Sequence, residues 1–268
     1  MNWSGGEAMF KELYDYWKTD RNPDGTGIHP CDEDIVNYLH KQPSNNNYRI
    51  HDNLFPEPYN GSISNPKIVF LYLNPGYHIK DDEIIKCKRM KNEFKENLNQ
   101  SFSTDYPFFW LNPDFKNHSK NENPGAYYWN RLFDQKKHSF LEKLAIDFFD
   151  SNKDEARKWL ANNVCDIELF PYHSVKFKAS WANSFSAEMA RKAVFGEIES
   201  AIESSKKVLF VIMRSKNLWI DGCKKIEDII ARGCKEKIVI INKSVQNPSL
   251  NPNLELGKKL LEFIKIAI

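Results

Sequence analysis

Four short runs of the chain are apolar without regular interruption. They are residues 67–73 (KIVFLYL), 164–170 (VCDIELF), 207–213 (KVLFVIM) and 237–242 (KIVIIN). Such runs read as continuous rather than alternating, which suits strands covered on both faces. Helical spacing fills the gaps between them, over 81–98, 126–133, 138–149, 154–162, 183–205 and 219–232, and a last helical pattern covers 253–268. Strands that alternate with helices predict an α/β fold with a mainly parallel sheet and helices on both faces. Ahead of the first strand, residues 9–19 (MFKELYDYWKT) and 31–42 (CDEDIVNYLHKQ) have helical spacing, and acids at the start of the second favour its dipole. The stretch 43–66 holds Pro, Asn and Gly throughout and reads as loop.

In open parallel sheets ligands bind beyond the carboxyl ends of the strands, so the residues that follow each run carry the interest. They are NPGYH (74–78), PYHS (171–174), RSKNLW (214–219) and KSVQNPSLNPN (243–253). All four are polar, and the first and last contain Asn-Pro. A turn explains Pro and Gly after the first strand, but it leaves the amide of Asn74 without a purpose.

Composition narrows the classes. At 268 residues the chain is long enough for one large domain or two small ones. No stretch of about 18 apolar residues occurs, so no membrane span is expected. The opening MNWSGGEAMFKELYDYWK lacks a basic start followed by an apolar core, so no secretory signal is expected and a cytoplasmic location is the default. The cysteines number five, an odd count, and none has C-x-x-C spacing, which argues against a disulfide scaffold and a zinc site. A net charge of +2 neither demands nor excludes nucleic acid. The segment 86–95 (KCKRMKNEFK) is dense in Lys and Arg, and reads either as a solvated helix face or as part of a basic rim. Phosphate-loop, dinucleotide, nucleophile-elbow and H-E-x-x-H motifs are missing from the sequence.

The ordered strand endings resemble the uracil-DNA glycosylase superfamily. LNPG (73–76) matches the first motif of its mismatch-specific and single-strand-selective branches, NPSLN (247–251) matches the second motif, and YPFFWLNP (106–113) lies where the family stacks an aromatic on the extruded base. The resemblance implies a three-layer α/β/α sandwich around a four-stranded mainly parallel sheet over residues 65–268. Residues 1–64 would then form an N-terminal helical and loop extension without counterpart. It further implies a glycosylase that hydrolyses the bond between a flipped base and its sugar. DNA, single- or double-stranded, would be the partner, and the chain would act as a monomer without metal or cofactor.

Residue by residue, the resemblance gives Asn74 the task of holding the attacking water and sets Asn247 opposite it, on the base or the adjacent phosphate. Gly76 would open the site to a base bulkier than uracil, because strict uracil enzymes carry Tyr there. Tyr77, Phe108 and Phe109 would line or stack on the base. Ser249 would hold a phosphate, and Leu250, or failing that Leu254, would fill the vacated stack. Arg214, Lys216 and Lys243 would hold phosphates along one edge. Tyr172, His173 and His78 also face the expected cleft. NPSLNPN also suits a helix cap, and Phe108 and Phe109 also suit a core.

One position departs from the family pattern. The single-strand-selective branch has Asn about three residues before the Pro that follows strand two, and here that place holds Glu168. An ionised carboxylate only accepts, which suits guanine's N1–H and N2–H₂; a protonated one would suit cytosine. Either option reads as pointing away from plain uracil. Three readings therefore stand: a base glycosylase, a non-catalytic relative that binds DNA or a nucleotide, and an unrelated α/β enzyme for a small phosphorylated ligand.

Overall fold

A computed structural model describes residues 10–18, 25–40, 46–135, 137–204, 206–242 and 250–268. The elements run α1 (Lys11–Lys18), α2 (Glu33–His40), β1 (Tyr59–Asn60), β2 (Ile68–Tyr72), α3 (Asp81–Ile84), α4 (Lys88–Asn99), α5 (Pro124–Phe133), α6 (Phe140–Phe148) and α7 (Lys153–Asn163). Then follow β3 (Val164–Glu168), α8 (Phe185–Ser204), β4 (Leu209–Ile212), α9 (Lys216–Ile220), α10 (Lys224–Lys235), β5 (Val239–Ile241) and α11 (Glu255–Ala267). Local chemistry sets several of these boundaries. Asn123, Ser139 and Asn152 cap α5, α6 and α7 by accepting from backbone N–H groups of the first turn.

The sheet has five strands, not four, in the order β1-β3-β2-β4-β5. The four expected strands are parallel, and the added β1 pairs antiparallel with β3, with Asn60 opposite Asp166. Both faces of the sheet are covered, and neighbouring residues divide between two cores. Val69, Leu71, Cys165, Ile167, Phe210 and Ile212 pack with side chains of α1, α8, α9 and α10. Ile68, Phe70, Tyr72, Val164, Leu209 and Val211 pack with α4, α5, α6, α7 and α11. Each large side chain taken from water contributes on the order of 1.5–3 kcal/mol.

The division expected at residue 65 has no counterpart in the packing. Phe10, Leu13, Trp17, Ile50, Tyr59 and Ile63 share the first core with β2, β3 and β4. Two side chains at the end of α4 hold the β1 segment in place. Asn97 accepts from Gly61 N and donates to Tyr59 O, while Gln100 accepts from Ile63 N and donates to Gly61 O. Gly61 sits at φ +88°, and a Cβ there would lie 2.6 Å from Val164 O, so only glycine allows this approach. Among the described residues, no helix is long and apolar enough to cross a membrane.

Candidate functional site

The chain leaves β2 to build β3 on one side of it and then β4 on the other. The carboxyl ends of these strands therefore diverge at β2, and a crevice opens there. A cavity of about 710 Å³ occupies it, lined by residues that follow β2, β3 and β4 and by the segment before β1. That volume lies within the range of small-molecule sites.

Asn74 forms part of the wall, and its orientation is fixed. Its Nδ2 donates to Pro75 O at 2.8 Å, Ser174 O at 3.3 Å and Ser174 Oγ at 2.9 Å. Two carbonyl partners determine which end of the amide is nitrogen, because a carbonyl only accepts. Among the described residues no donor reaches Oδ1, which remains for a ligand or water. Gly76 is exposed on the same wall; its φ is not positive, and a Cβ would meet nothing within 4 Å. The backbone therefore does not demand glycine here. Tyr77 stacks on His51 with ring centroids 3.3 Å apart and donates to Asp82 Oδ2 at 2.7 Å. Burial and that hydrogen bond push its pKa up to about 12, so it stays a neutral phenol.

The opposite side is a cluster of buried acids. Asp166 and Glu168 stand two apart on β3, on the face they share with Phe70 and Tyr72, their register partners on β2. Glu168 lines the cavity at 7% exposure, and its Oε2 has no hydrogen-bond partner. Burial first, then the charges of Asp166 and Glu57, raise its pKa well above the carboxylate range, with Arg214 opposing. Asp166 is raised likewise, by burial and by Glu57. Burial thus favours the uncharged form of both. Asn60 donates to Asp166 Oδ2 at 3.4 Å, which leaves Asn60 Oδ1 and Asp166 Oδ1 without partners. Beside them, the Tyr128 hydroxyl donates to that of Tyr72 at 3.1 Å.

His173 supplies the compensating charge. Its Nδ1 lies 2.9 Å from Gly76 O, and its Nε2 lies 3.0 Å from Glu57 Oε1 and 3.1 Å from Phe55 O. Acceptors face both nitrogens, and only an imidazolium satisfies them all. Burial opposes the cation, but the hydrogen bond to Glu57 and its charge prevail, and the pKa is pushed up to about 9. This ring ties the loop after β3 to the Asn-Pro-Gly turn and to the segment before β1.

The structure brings together only some of the expected site residues. Asn74, Gly76, Tyr77, Glu168 and Arg214 all line the cavity, as do His78 and His173. Phe108 and Phe109 do not; they are 0% and 1% exposed and belong to the second core, where Phe108 meets Trp129 edge-on at 4.7 Å. The aromatic of that segment that reaches the cavity is Trp110. Leu250 is also core, at 0% exposure, so it is not poised as a wedge, whereas Leu254 is 52% exposed. Tyr172 is buried and donates to Asp32, away from the cavity. Lys216 does not line the cavity, and of the 86–95 segment Phe94 does so while its basic residues do not; Arg89 is committed to Glu93 and Asp114. Lys243, Asn247 and Ser249 lie outside the described residues.

Sequence reasoning missed Glu57, Asn60, Tyr72, Tyr128, Lys120 and Arg131, all of which line the cavity. One available signal was the pair of acids at Asp166 and Glu168, on one face of a strand whose other residues call for burial. Glu57 gives no local signal, since its role depends on the fold of the preceding segment. Comparison with protein-family models, curated proteins and solved structures found no match to the chain.

Proposed function

We propose that the cavity receives a base extruded from a nucleic-acid strand and that the chain hydrolyses the base's N-glycosidic bond. The observation that carries this reading is the amide of Asn74, locked by three hydrogen bonds with its Oδ1 left over at the wall of a base-sized cavity. A water held on Oδ1 would be oriented without being deprotonated, since an amide is no base near neutral pH. The glycosidic electron pair would leave with the base. The water oxygen would bond to the sugar carbon, one water proton would pass to the departing base, and the hydroxyl would stay on the sugar. Lys120, Lys176 and Arg214 carry positive charge on the cavity's lining, which suits phosphates that follow the base. A three-layer α/β/α sandwich is the arrangement that the two cores support.

The uncharged form of Glu168, which burial favours, revises the expectation drawn from the sequence. A protonated carboxyl offers one donor and one acceptor, as an amide does, so it pairs with a uracil-type edge as readily as with a cytosine-type edge. A second reading is binding without hydrolysis. It is favoured by the partners of Asn74, two carbonyls and a hydroxyl, which bring no ionised carboxylate to the water position.

Oligonucleotides carrying uracil, hypoxanthine, xanthine or modified cytosines, incubated with the protein and then treated with alkali, separate the two. Scission at one of these bases, lost in Asn74→Ala while binding persists, supports hydrolysis. Binding with no scission on any substrate supports the second reading, and loss of binding together with scission removes the water-holding role.

A further inference from the structure

Three buried oxygens at the floor of the cavity have no hydrogen-bond partner. Asn60 and Glu168 both line it at 2% and 7% exposure, and each keeps one oxygen, Asn60 Oδ1 and Glu168 Oε2, without a partner. Asp166 Oδ1, behind them on β3, is a third such oxygen. A buried acceptor without a donor is costly, so most are paired in folded proteins. Two of these oxygens, on Asn60 and Glu168, belong to residues of the cavity wall, where a ligand can bring the missing partners.

The groups around this floor do not engage these oxygens. Tyr128 gives its hydroxyl proton to Tyr72, and His173 already faces acceptors with both nitrogens. Asn60 gives one amide hydrogen to Asp166. Arg214 approaches from the end of β4 but makes no hydrogen bond or ion pair among the described residues. Among the described residues the Trp110 indole N–H on the lining is unpartnered too, and it suits a ring nitrogen or carbonyl elsewhere on the ligand.

Resting on the base-binding reading above, we infer that this site selects rings bearing an exocyclic amino group over their oxo counterparts. The argument turns on hydrogen count. An oxo-bearing lactam edge and an amino-bearing amidine edge each make two hydrogen bonds with an uncharged Glu168, one given and one received. The amino group then has a second hydrogen, which the unpartnered Asn60 Oδ1, on the lining of the same cavity as Glu168, can take. The oxo oxygen has no hydrogen at all, so it leaves Asn60 Oδ1 unpaired. Cytosine- and adenine-type bases, plain or modified, therefore fit better than uracil- and hypoxanthine-type ones.

Matched pairs that differ only in this group test the inference. Dissociation constants for CMP against UMP, and for AMP against IMP, are measured by calorimetry on the whole chain at pH 7. The amino member of at least one pair is expected to bind at least tenfold more tightly, about 1.4 kcal/mol. Equal affinity, tighter binding of the oxo members, or no saturable binding of any of the four up to millimolar concentration overturns the inference. Asn60→Leu, which keeps size and removes Oδ1, is expected to bring the ratio close to one; a ratio unchanged in a variant with the wild-type far-ultraviolet spectrum assigns the preference elsewhere and overturns the role of Asn60. Hydrolysis plays no part in the readout. An amino preference without strand scission would sink the hydrolase reading and keep this one, whereas scission at an oxo base without that preference would do the reverse.

Discussion

Replacing Glu57 with Gln removes the charge opposite His173 and keeps the side chain's size. In the wild type the imidazolium is held at a pKa of about 9 against an ordinary 6.5. At roughly 1.4 kcal/mol for each pKa unit, the difference between about 9 and 6.5 amounts to about 3 kcal/mol of stability. Because the folded-state value is the higher one, this contribution is whole below pH 6.5, erodes as pH rises, and is gone above about pH 9. In Glu57→Gln the strongest partner of the cation is lost, and burial then favours the neutral ring. Breaking a buried pair from one side costs on the order of 3–5 kcal/mol, so the variant is expected to be about 3 kcal/mol less stable at pH 6. The gap should narrow steadily toward pH 9 as the wild type loses its own proton. Urea denaturation of both proteins at pH 6, 7, 8 and 9 reads the gap directly. Tyrosines, cysteines and lysines that titrate nearby are common to the two and cancel in the difference. A gap that stays constant across these pH values, or widens, would refute the ion-pair reasoning.

Gly76→Tyr should fold with stability close to wild type, within about 0.5 kcal/mol, because the backbone there is ordinary and a Cβ meets open space. The new ring should obstruct the cavity mouth and weaken nucleotide binding in the same calorimetric assay; unchanged binding would remove Gly76 from the site. Phe108→Ala should cost about 3–5 kcal/mol in denaturant unfolding, since the ring is fully buried against Trp129. A stable Phe108→Ala protein that binds nucleotides poorly would instead return Phe108 to the role of a base-stacking residue.

The parallel strands were legible because burial on both faces writes an uninterrupted apolar run, and all four observed parallel strands fall inside the predicted spans. The crossover helices were legible for a similar reason, although 81–98 divides into α3 and α4, and 219–232 divides so that α9 begins at Lys216. The two-residue β1 was not legible: it lies in a Pro- and Asn-rich stretch, and Asn97 and Gln100 of a distant helix end hold its flanks. The same reason hides Glu57 and Asn60. Their place is decided by contacts with α4 and β3, far along the chain, and not by their neighbours. Asn74 and Glu168 were found because each is a polar residue at the end of a buried strand. Phe108 and Phe109 misled because an aromatic run has the same composition in a core as on a binding wall, and burial alone tells them apart.

The central claim is that a water on Asn74 Oδ1 cuts a base from its sugar inside this cavity. Its most direct test is free base released from a labelled oligonucleotide, followed by chromatography in a single turnover with protein in excess. The account predicts that the wild type liberates one of the panel bases and leaves an intact backbone with an abasic sugar, and that Asn74→Ala, though still bound, liberates almost none. Equal release by both proteins, or no release by the wild type from any oligonucleotide it binds, would contradict it.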